Sequence, residues 1–298
     1  MKILVFGSNG QLGSAIKKNT IDSNHYFIFS SRKECNIDNF SQTQKFILNC
    51  NPDLIINCSA YTRVDDAEKE QEIANHTNNK AVGNIAEICN KNHIILFHIS
   101  TDYVFDNSPK YYKNKPFTEE MIPNPLSVYG RTKLDGENAV INSGCRFIIL
   151  RTSWVFSEFG KNFLKTMIKL GSEMKDLTVV DDQFGCPTYA PDIANAIISI
   201  LDSIRNTKKQ FTEGIFHFTG SNQTSWYLFA KAIFNEAKIQ NFNYPNNLIP
   251  IKTANYPTQA PRPLYSVLSS DKIKMYYNID SPSWEDGVKK ALHNIRNP

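Results

Sequence analysis

The stretch Phe6-Gly7-Ser8-Asn9-Gly10-Gln11-Leu12-Gly13 decides how this chain is read. It follows Ile3-Leu4-Val5, a short apolar run that reads as a buried strand, and it leads into a helical pattern over residues 11–18. The glycines are spaced Gly-x-x-Gly-x-x-Gly. Glycine permits a tight turn and lets backbone N–H groups approach a pyrophosphate, whose charge is favoured at a helix amino terminus. Three glycines also fit an ordinary turn. Their place between a first strand and a first helix selects the dinucleotide reading, with Gly7, Asn9, Gly10, Gln11 and Leu12 around the cofactor.

Working outward, apolar runs at residues 3–6, 26–29, 54–56, 94–97 and 147–150 alternate with helical patterns at 11–18, 41–49, 74–90 and 125–141. This alternation predicts an α/β fold, a doubly wound parallel sheet of the Rossmann type covered on both faces. Right-handed crossovers put every strand's carboxyl end on one edge, where ligands bind. After Arg151 the pattern loosens. Strands are expected at 177–180 and 215–218 and helices at 192–204 and 225–238, while the proline-rich stretch 244–270 reads as irregular. The expected organisation is a dinucleotide-binding domain over 1–150, to which later segments return, and a smaller mixed substrate-binding lobe mainly from 151–298.

Composition narrows the class. The chain has 298 residues and a formal charge of +4, too small and too evenly spread to imply a nucleic-acid partner. No apolar run reaches the roughly 20 residues of a membrane span, and Met1-Lys2 opens onto a strand rather than a secretory signal. The six cysteines are scattered without a Cys-x-x-Cys pair, so reduced thiols and a cytoplasmic location are expected. The histidines lack metal-ligand spacing; His93 and His98, which bracket a strand, read as structural, and no metal is expected.

The end of the second strand addresses which dinucleotide binds. NAD-selective sites place an acid there to hold the ribose hydroxyls. This chain has Ser30-Ser31-Arg32-Lys33, with no acid before Glu34. Arg32 can pair with a 2′-phosphate through its donor fork, or stand as a solvated basic turn. The balance favours NADPH and leaves NADH open. Asn36-Ile37 is expected beside the adenine, and Ser59, Ala60 and Tyr61 beside the ribose and pyrophosphate. Cys58 reads as a packing residue, since no base accompanies it.

Tyr129-Gly130-Arg131-Thr132-Lys133 carries the chemistry. Residues four apart share a helix face, so Tyr129 and Lys133 both reach the cofactor. Pro125 is expected in the first turn of that helix and Asn124 at its cap. The ammonium is expected to lower the tyrosine's pKa, leaving its proton labile, and to hold the nicotinamide ribose. Ser100-Thr101-Asp102-Tyr103 ends the fourth strand at the ligand edge, where Thr101 can hydrogen-bond a substrate carbonyl and the tyrosine hydroxyl. A strand-ending turn favours the same residue types.

These motifs resemble the extended short-chain dehydrogenase/reductase superfamily and, within it, the dTDP-4-dehydrorhamnose reductase family. The likeness runs through Asn57-Cys58-Ser59-Ala60-Tyr61-Thr62, Ser100-Thr101-Asp102-Tyr103-Val104-Phe105, Arg151-Thr152-Ser153-Trp154-Val155-Phe156 and Asp182-Gln183-Phe184-Gly185-Cys186-Pro187-Thr188. It implies NADPH-dependent reduction of the 4-keto group of a nucleotide-linked 4-keto-6-deoxysugar, with Tyr129 as proton donor and Thr101 and Lys133 as its partners. It also implies sugar contacts from Thr101, Asp102, Tyr103 and Trp154, and a diphosphate contact from Arg262 in Ala260-Pro261-Arg262-Pro263. From the residues alone, Trp154 also fits core packing and Arg262 an exposed turn. Some members dimerise through magnesium held by glutamates; the corresponding places here are Ser14-Ala15 and Pro191, so a monomer or a metal-independent homodimer is expected. The segment 107–121 departs from the family pattern, which leaves the sugar open. Reduction or epimerisation of another nucleotide sugar, and a non-catalytic NADP-binding regulatory role, stay as alternatives. Arg32 speaks against tightly held NAD⁺, and the intact Thr101, Tyr129 and Lys133 set speaks against a regulatory role.

Overall fold

Residues 3–6 and 54–57 are buried without interruption, as strands are when both faces of their sheet are covered. The computed structural model describes residues 1–21, 23–105, 115–205 and 212–297. In chain order, β1 (Lys2–Phe6), α1 (Gln11–Asn19), β2 (Tyr26–Ser30), α2 (Phe40–Cys50) and β3 (Leu54–Asn57) come first. Short helices α3 (Val64–Ala67) and α4 (Gln71–Asn75) lead through a π-helical turn, His76–Lys80, into α5 (Ala81–Lys91). Then come β4 (Ile95–Thr101), α6 (Val128–Asn142), β5 (Phe147–Thr152), β6 (Val155–Phe156), α7 (Phe163–Glu173), β7 (Asp176–Val180), β8 (Phe184–Gly185) and β9 (Thr188–Tyr189). The chain ends with α8 (Ala190–Arg205), β10 (Gly214–His217), β11 (Thr224–Ser225), α9 (Trp226–Ile239), β12 (Asn247–Ile251), α10 (Asp271–Tyr277) and α11 (Trp284–Arg296).

Six strands form one parallel sheet in the order β10-β5-β4-β3-β1-β2. Side chains alternate across it. Ile3, Val5, Ile56 and Phe97 meet Ile16 of α1 and Ile193 and Ile197 of α8. Leu4, Phe6, Ile55 and Leu96 meet Ile47 of α2 and Val82 and Ile85 of α5. A fully buried side chain of this kind contributes about 1.5–3 kcal/mol over an exposed one, so the two layers dominate the fold's stability. The chain leaves β1 toward β2 on one side and β3 on the other, and the crevice between β1 and β3 is the switch point where ligands bind in such sheets. A third core gathers Leu164 and Met167 of α7, Phe229 and Ile233 of α9, and Val288 and Leu292 of α11.

The structure departs from the sequence reading in several places. The helix expected over 74–90 is divided at the π-turn. The wider turn brings Asn78 inward, where its Oδ1 accepts from the Tyr61 N–H at 2.8 Å and its Nδ2 donates to Thr132 at 3.1 Å. The helix expected from Pro125 begins at Val128, because Ser127 rather than Asn124 caps it, accepting from the Gly130 N–H at 3.1 Å. Within the stretch read as irregular, β12 pairs in parallel with β7, Leu248 beside Leu177. Finally, α7, α10 and α11 lie outside the expected helices, although Asn162 caps α7, Ser283 caps α11, and Glu285 and Asp286 occupy the first turn of α11. Segment 107–121 lies outside the described residues as far as 114.

Candidate active site

Backbone geometry builds the cofactor end. Gly7 turns the chain with φ +77°. A Cβ there would stand 2.8 Å from the Cys58 and Ser59 backbone, and one on Gly13 would stand 2.3 Å from the Gly7 carbonyl oxygen. Both positions require glycine. Gly7, Asn9, Gly10, Arg32, Asn36, Ile37, Ser59 and Ala60 line a single cleft of about 400 Å³ at the switch point. Ser31, Asp38 and Thr77 line it as well, and motif reading did not find them. Gln11, Leu12, Tyr61, Tyr129 and Lys133 are not on its wall. The Gln11 side chain bonds Val155, Ser157 and Asn162; Leu12 is in the core; and the Tyr61 hydroxyl donates to Glu70 at 2.8 Å. Gln11 and Leu12 reach a ligand only through first-turn N–H groups, which lack intrahelical partners.

At the adenosine end, Arg32 is 77% exposed and pairs with Asp38 at 3.0 Å, while Thr77 donates to Asp38 at 2.8 Å. Glu34 folds away from the cleft, accepting from the Ser31 N–H at 2.7 Å and from the Ser31 hydroxyl. Those bonds hold its carboxyl below the usual range. The adenosine end thus carries Arg32 and Lys33 together with one carboxylate, Asp38, which is paired with Arg32.

The chemical end sits on α6, where Tyr129, Lys133 and Glu137 follow one another on one face. The Tyr129 ring stands edge-on to Tyr103 at 5.5 Å, and the Thr101 side chain lies close enough to its phenol to oppose the rise of its pKa. Thr101 in turn donates to Asp102 Oδ1 at 3.1 Å. Lys133 Nζ donates to the Ile99 carbonyl at 2.7 Å and lies 3.2 Å from His98 Nε2. A turn further on, Arg151 grips Glu137 through Nη2 at 2.6 Å and Nε at 2.9 Å, and the Ser100 hydroxyl also donates to Glu137.

Burial governs the electrostatics. It pushes Lys133 down to about 8 against the opposing pull of Glu137. It pushes the Tyr129 phenol up to about 12, with Asp102 adding to the rise and Thr101 opposing it. The expected lowering of the phenol by Lys133 is thus absent, because the lysine's bonds run to β4 rather than to the tyrosine. A phenol held this way stays fully protonated at neutral pH, which suits a donor of protons to an alkoxide. Asp102 is raised to about 7 by burial, only partly offset by Ser266 and Thr101, and its Oδ2 has no partner among the described residues. The Cys58 thiol is pushed up to about 12 by burial, which makes it inert packing.

Beyond Tyr103 a second cleft, about 690 Å³, runs between Arg262, Gln183 and the aromatic rings of Phe163, Trp226 and Tyr256. Arg262 pairs with Asp65 at 2.5 Å, so the arginine is held in place and is not an exposed turn residue. Trp154 has φ +47° and stacks on Trp226 at 3.5 Å, and a Cβ on Gly185 would strike its ring. It packs in the lobe and orients Trp226. A wider cleft of about 760 Å³, between α1, α8, α9 and α11, shares no lining residue with either site. Among the described residues no group of three or more His, Cys, Asp or Glu side chains is arranged to hold a metal, and no helix is long and apolar enough to cross a membrane.

Sequence reading missed His98, Asn57, Glu137 and Arg151, all buried in this site. The available signal was position: Asn57 ends β3, His98 precedes Ser100 by two on β4, and Glu137 continues the Tyr129–Lys133 spacing.

A glycine-loop cleft at the switch point, with a tyrosine–lysine helix at the same sheet edge, defines a dinucleotide-dependent oxidoreductase of the short-chain dehydrogenase/reductase type. The family described as the RmlD substrate binding domain matches residues 1–297, and the chain belongs to it. The dTDP-4-dehydrorhamnose reductase of Aggregatibacter actinomycetemcomitans is 40% identical over 99% of this chain and 98% of its own. Two solved structures superpose over nearly the whole length. A dTDP-4-dehydrorhamnose reductase from Clostridium acetobutylicum has TM-score 0.90 and 34% identity, covering 99% of this chain and 100% of its own. One from Bacillus anthracis, in complex with NADP, has TM-score 0.88 and 32% identity, covering 98% and 99%.

Proposed function

We propose that this protein reduces the C4 carbonyl of dTDP-4-dehydrorhamnose with NADPH, giving dTDP-L-rhamnose. The reading is carried by one observation: a protonated, buried phenol beside Thr101, on the helix that bears Lys133, at the sheet edge that holds the glycine-loop cleft. The names of the full-length relatives agree with it. The cleft fits a dinucleotide, since the glycine turn brings Gly7, Asn9 and Gly10 to its wall just before the amino terminus of α1 and Arg32 offers a guanidinium to a 2′-phosphate. NADPH, when bound, supplies the hydride.

The chain's own residues do the rest. Thr101 orients the carbonyl and Tyr129 Oη gives its proton to the oxygen as negative charge develops there. Lys133, one turn along the same helix, holds ribose hydroxyls. Tyr103 meets the sugar with Asp102 behind it, Trp226, stacked on Trp154, supplies a rigid apolar wall, and Arg262 faces the diphosphate in the 690 Å³ cleft. In this division of labour residues 1–150, joined by β10, hold the cofactor and 151–298 mainly hold the substrate. A cytoplasmic monomer or metal-independent homodimer completes the proposal.

The test is Tyr129→Phe. Turnover with dTDP-4-dehydrorhamnose is expected to fall about 10²–10⁴-fold, the usual worth of a positioned acid, with NADPH affinity nearly unchanged. A variant retaining near-normal turnover would overturn the assignment. A panel of dTDP- and UDP-linked 4-keto sugars fixes the substrate.

A further inference from the structure

His98 has no exposed surface, and the chemistry above makes no use of it. Its Nδ1 faces Asn57 Nδ2 at 3.3 Å and its Nε2 faces Lys133 Nζ at 3.2 Å. The Asn57 amide is not free to flip. The Ser59 N–H donates to Asn57 Oδ1 at 3.1 Å, and a backbone donor requires oxygen at that place. Asn57 Nδ2 is therefore turned to His98 and donates to Nδ1. Burial and the Lys133 charge keep the imidazole well below its usual range, hence neutral. A neutral ring that accepts at Nδ1 carries its proton on Nε2. An N–H thus points at Lys133 Nζ.

An ammonium has three donors and no acceptor, whereas a neutral amine offers a lone pair. The bond to the Ile99 carbonyl suits either form; the His98 contact is satisfied only by the amine. The other titratable groups facing Lys133 are Glu137 on α6 and Cys58 after β3. Glu137 favours the charge but is already gripped by Arg151, and Cys58 is a neutral thiol. We infer that His98, its tautomer set by Asn57, is a positioning residue that holds Lys133 ready to release its proton, so that this lysine sets the alkaline limb of the enzyme's pH profile. The inference rests on the reading of Lys133 as part of the reductase machinery.

The first test requires no turnover and so stands apart from that reading. In the ¹⁵N-histidine-labelled protein, two rings are expected not to titrate, His98 and His217, both buried and held well below the usual imidazole range. His217 Nδ1 faces the Phe117 carbonyl at 3.1 Å, so it must carry its proton there and serves as an internal reference. One non-titrating ring protonated on Nδ1 and one on Nε2 is the expected result; two protonated on Nδ1 overturn the inference. The second test follows kcat/KM against pH in His98→Gln, whose amide oxygen can accept from an ammonium. The alkaline limb is expected to move up by about one unit, the ordinary size of an environment's effect on a side chain. A lowered rate with an unmoved limb would reduce His98 to a structural role.

Discussion

Two buried charges stand one helical turn apart on α6 and are handled in opposite ways. Glu137, 1% exposed, receives three guanidinium bonds from Nε and Nη2 of Arg151 and a hydroxyl bond from Ser100. Lys133, 2% exposed, has no ion-pair partner among the described residues, only a carbonyl and an imidazole. Glu137 ties α6 to β4 and β5. Lys133 is left with a perturbed proton affinity at the ligand edge. Burial alone therefore does not mark a working charge; incomplete compensation does. Asp102, with its unpartnered Oδ2, belongs with Lys133 in this respect.

Removing one side of the compensated pair should have the largest effect on stability. Glu137→Ala leaves Arg151 buried and unpaired and is expected to cost about 3–5 kcal/mol, measured by urea unfolding. A loss below about 1 kcal/mol, the range of exposed pairs, would erase the contrast.

Asp102→Asn should act in the opposite direction and depend on pH. The folded carboxyl titrates at about 7 against an ordinary 3.8, so between those values the native state binds more protons than the unfolded chain. Stability then falls as pH rises through that window, a loss the amide escapes. Thermal melts should show the variant roughly 1–3 kcal/mol more stable at pH 8, little changed near pH 4, and weakened in sugar binding. An equal gain at both pH values would assign the effect to packing.

The smallest shift is expected from Lys133→Met. Deleting an uncompensated buried charge should leave stability within about 1 kcal/mol of the parent while turnover collapses. A large destabilisation would place Lys133 beside Glu137 as a structural charge.

The same contrast explains what was legible beforehand. The glycine loop, the strand alternation and the Tyr129–Lys133 spacing are local, and each has one dominant physical reading. Ser127 was passed over as a cap because Asn124-Pro125 offers an equally good start three residues earlier. β12 was hidden because Pro250 lies inside it and its apolar residues are few; only its pairing with β7 makes it a strand. The fixed amide of Asn57 and the grip of Arg151 on Glu137 join residues 41 and 14 positions apart, so only tertiary structure brings them together. The resting partners of Lys133 could not be read from its spacing, and that led to the wrong direction for the phenol.

The place of β10 in the sheet bears on how the protein is made. When a ribosome has released β5, five strands are in hand, but their outer rim is bare and the face later roofed by α8 is uncovered. That apolar surface stays open to other chains until residues 190–217 emerge, so the risk of clumping during synthesis is concentrated in the interval between those two points.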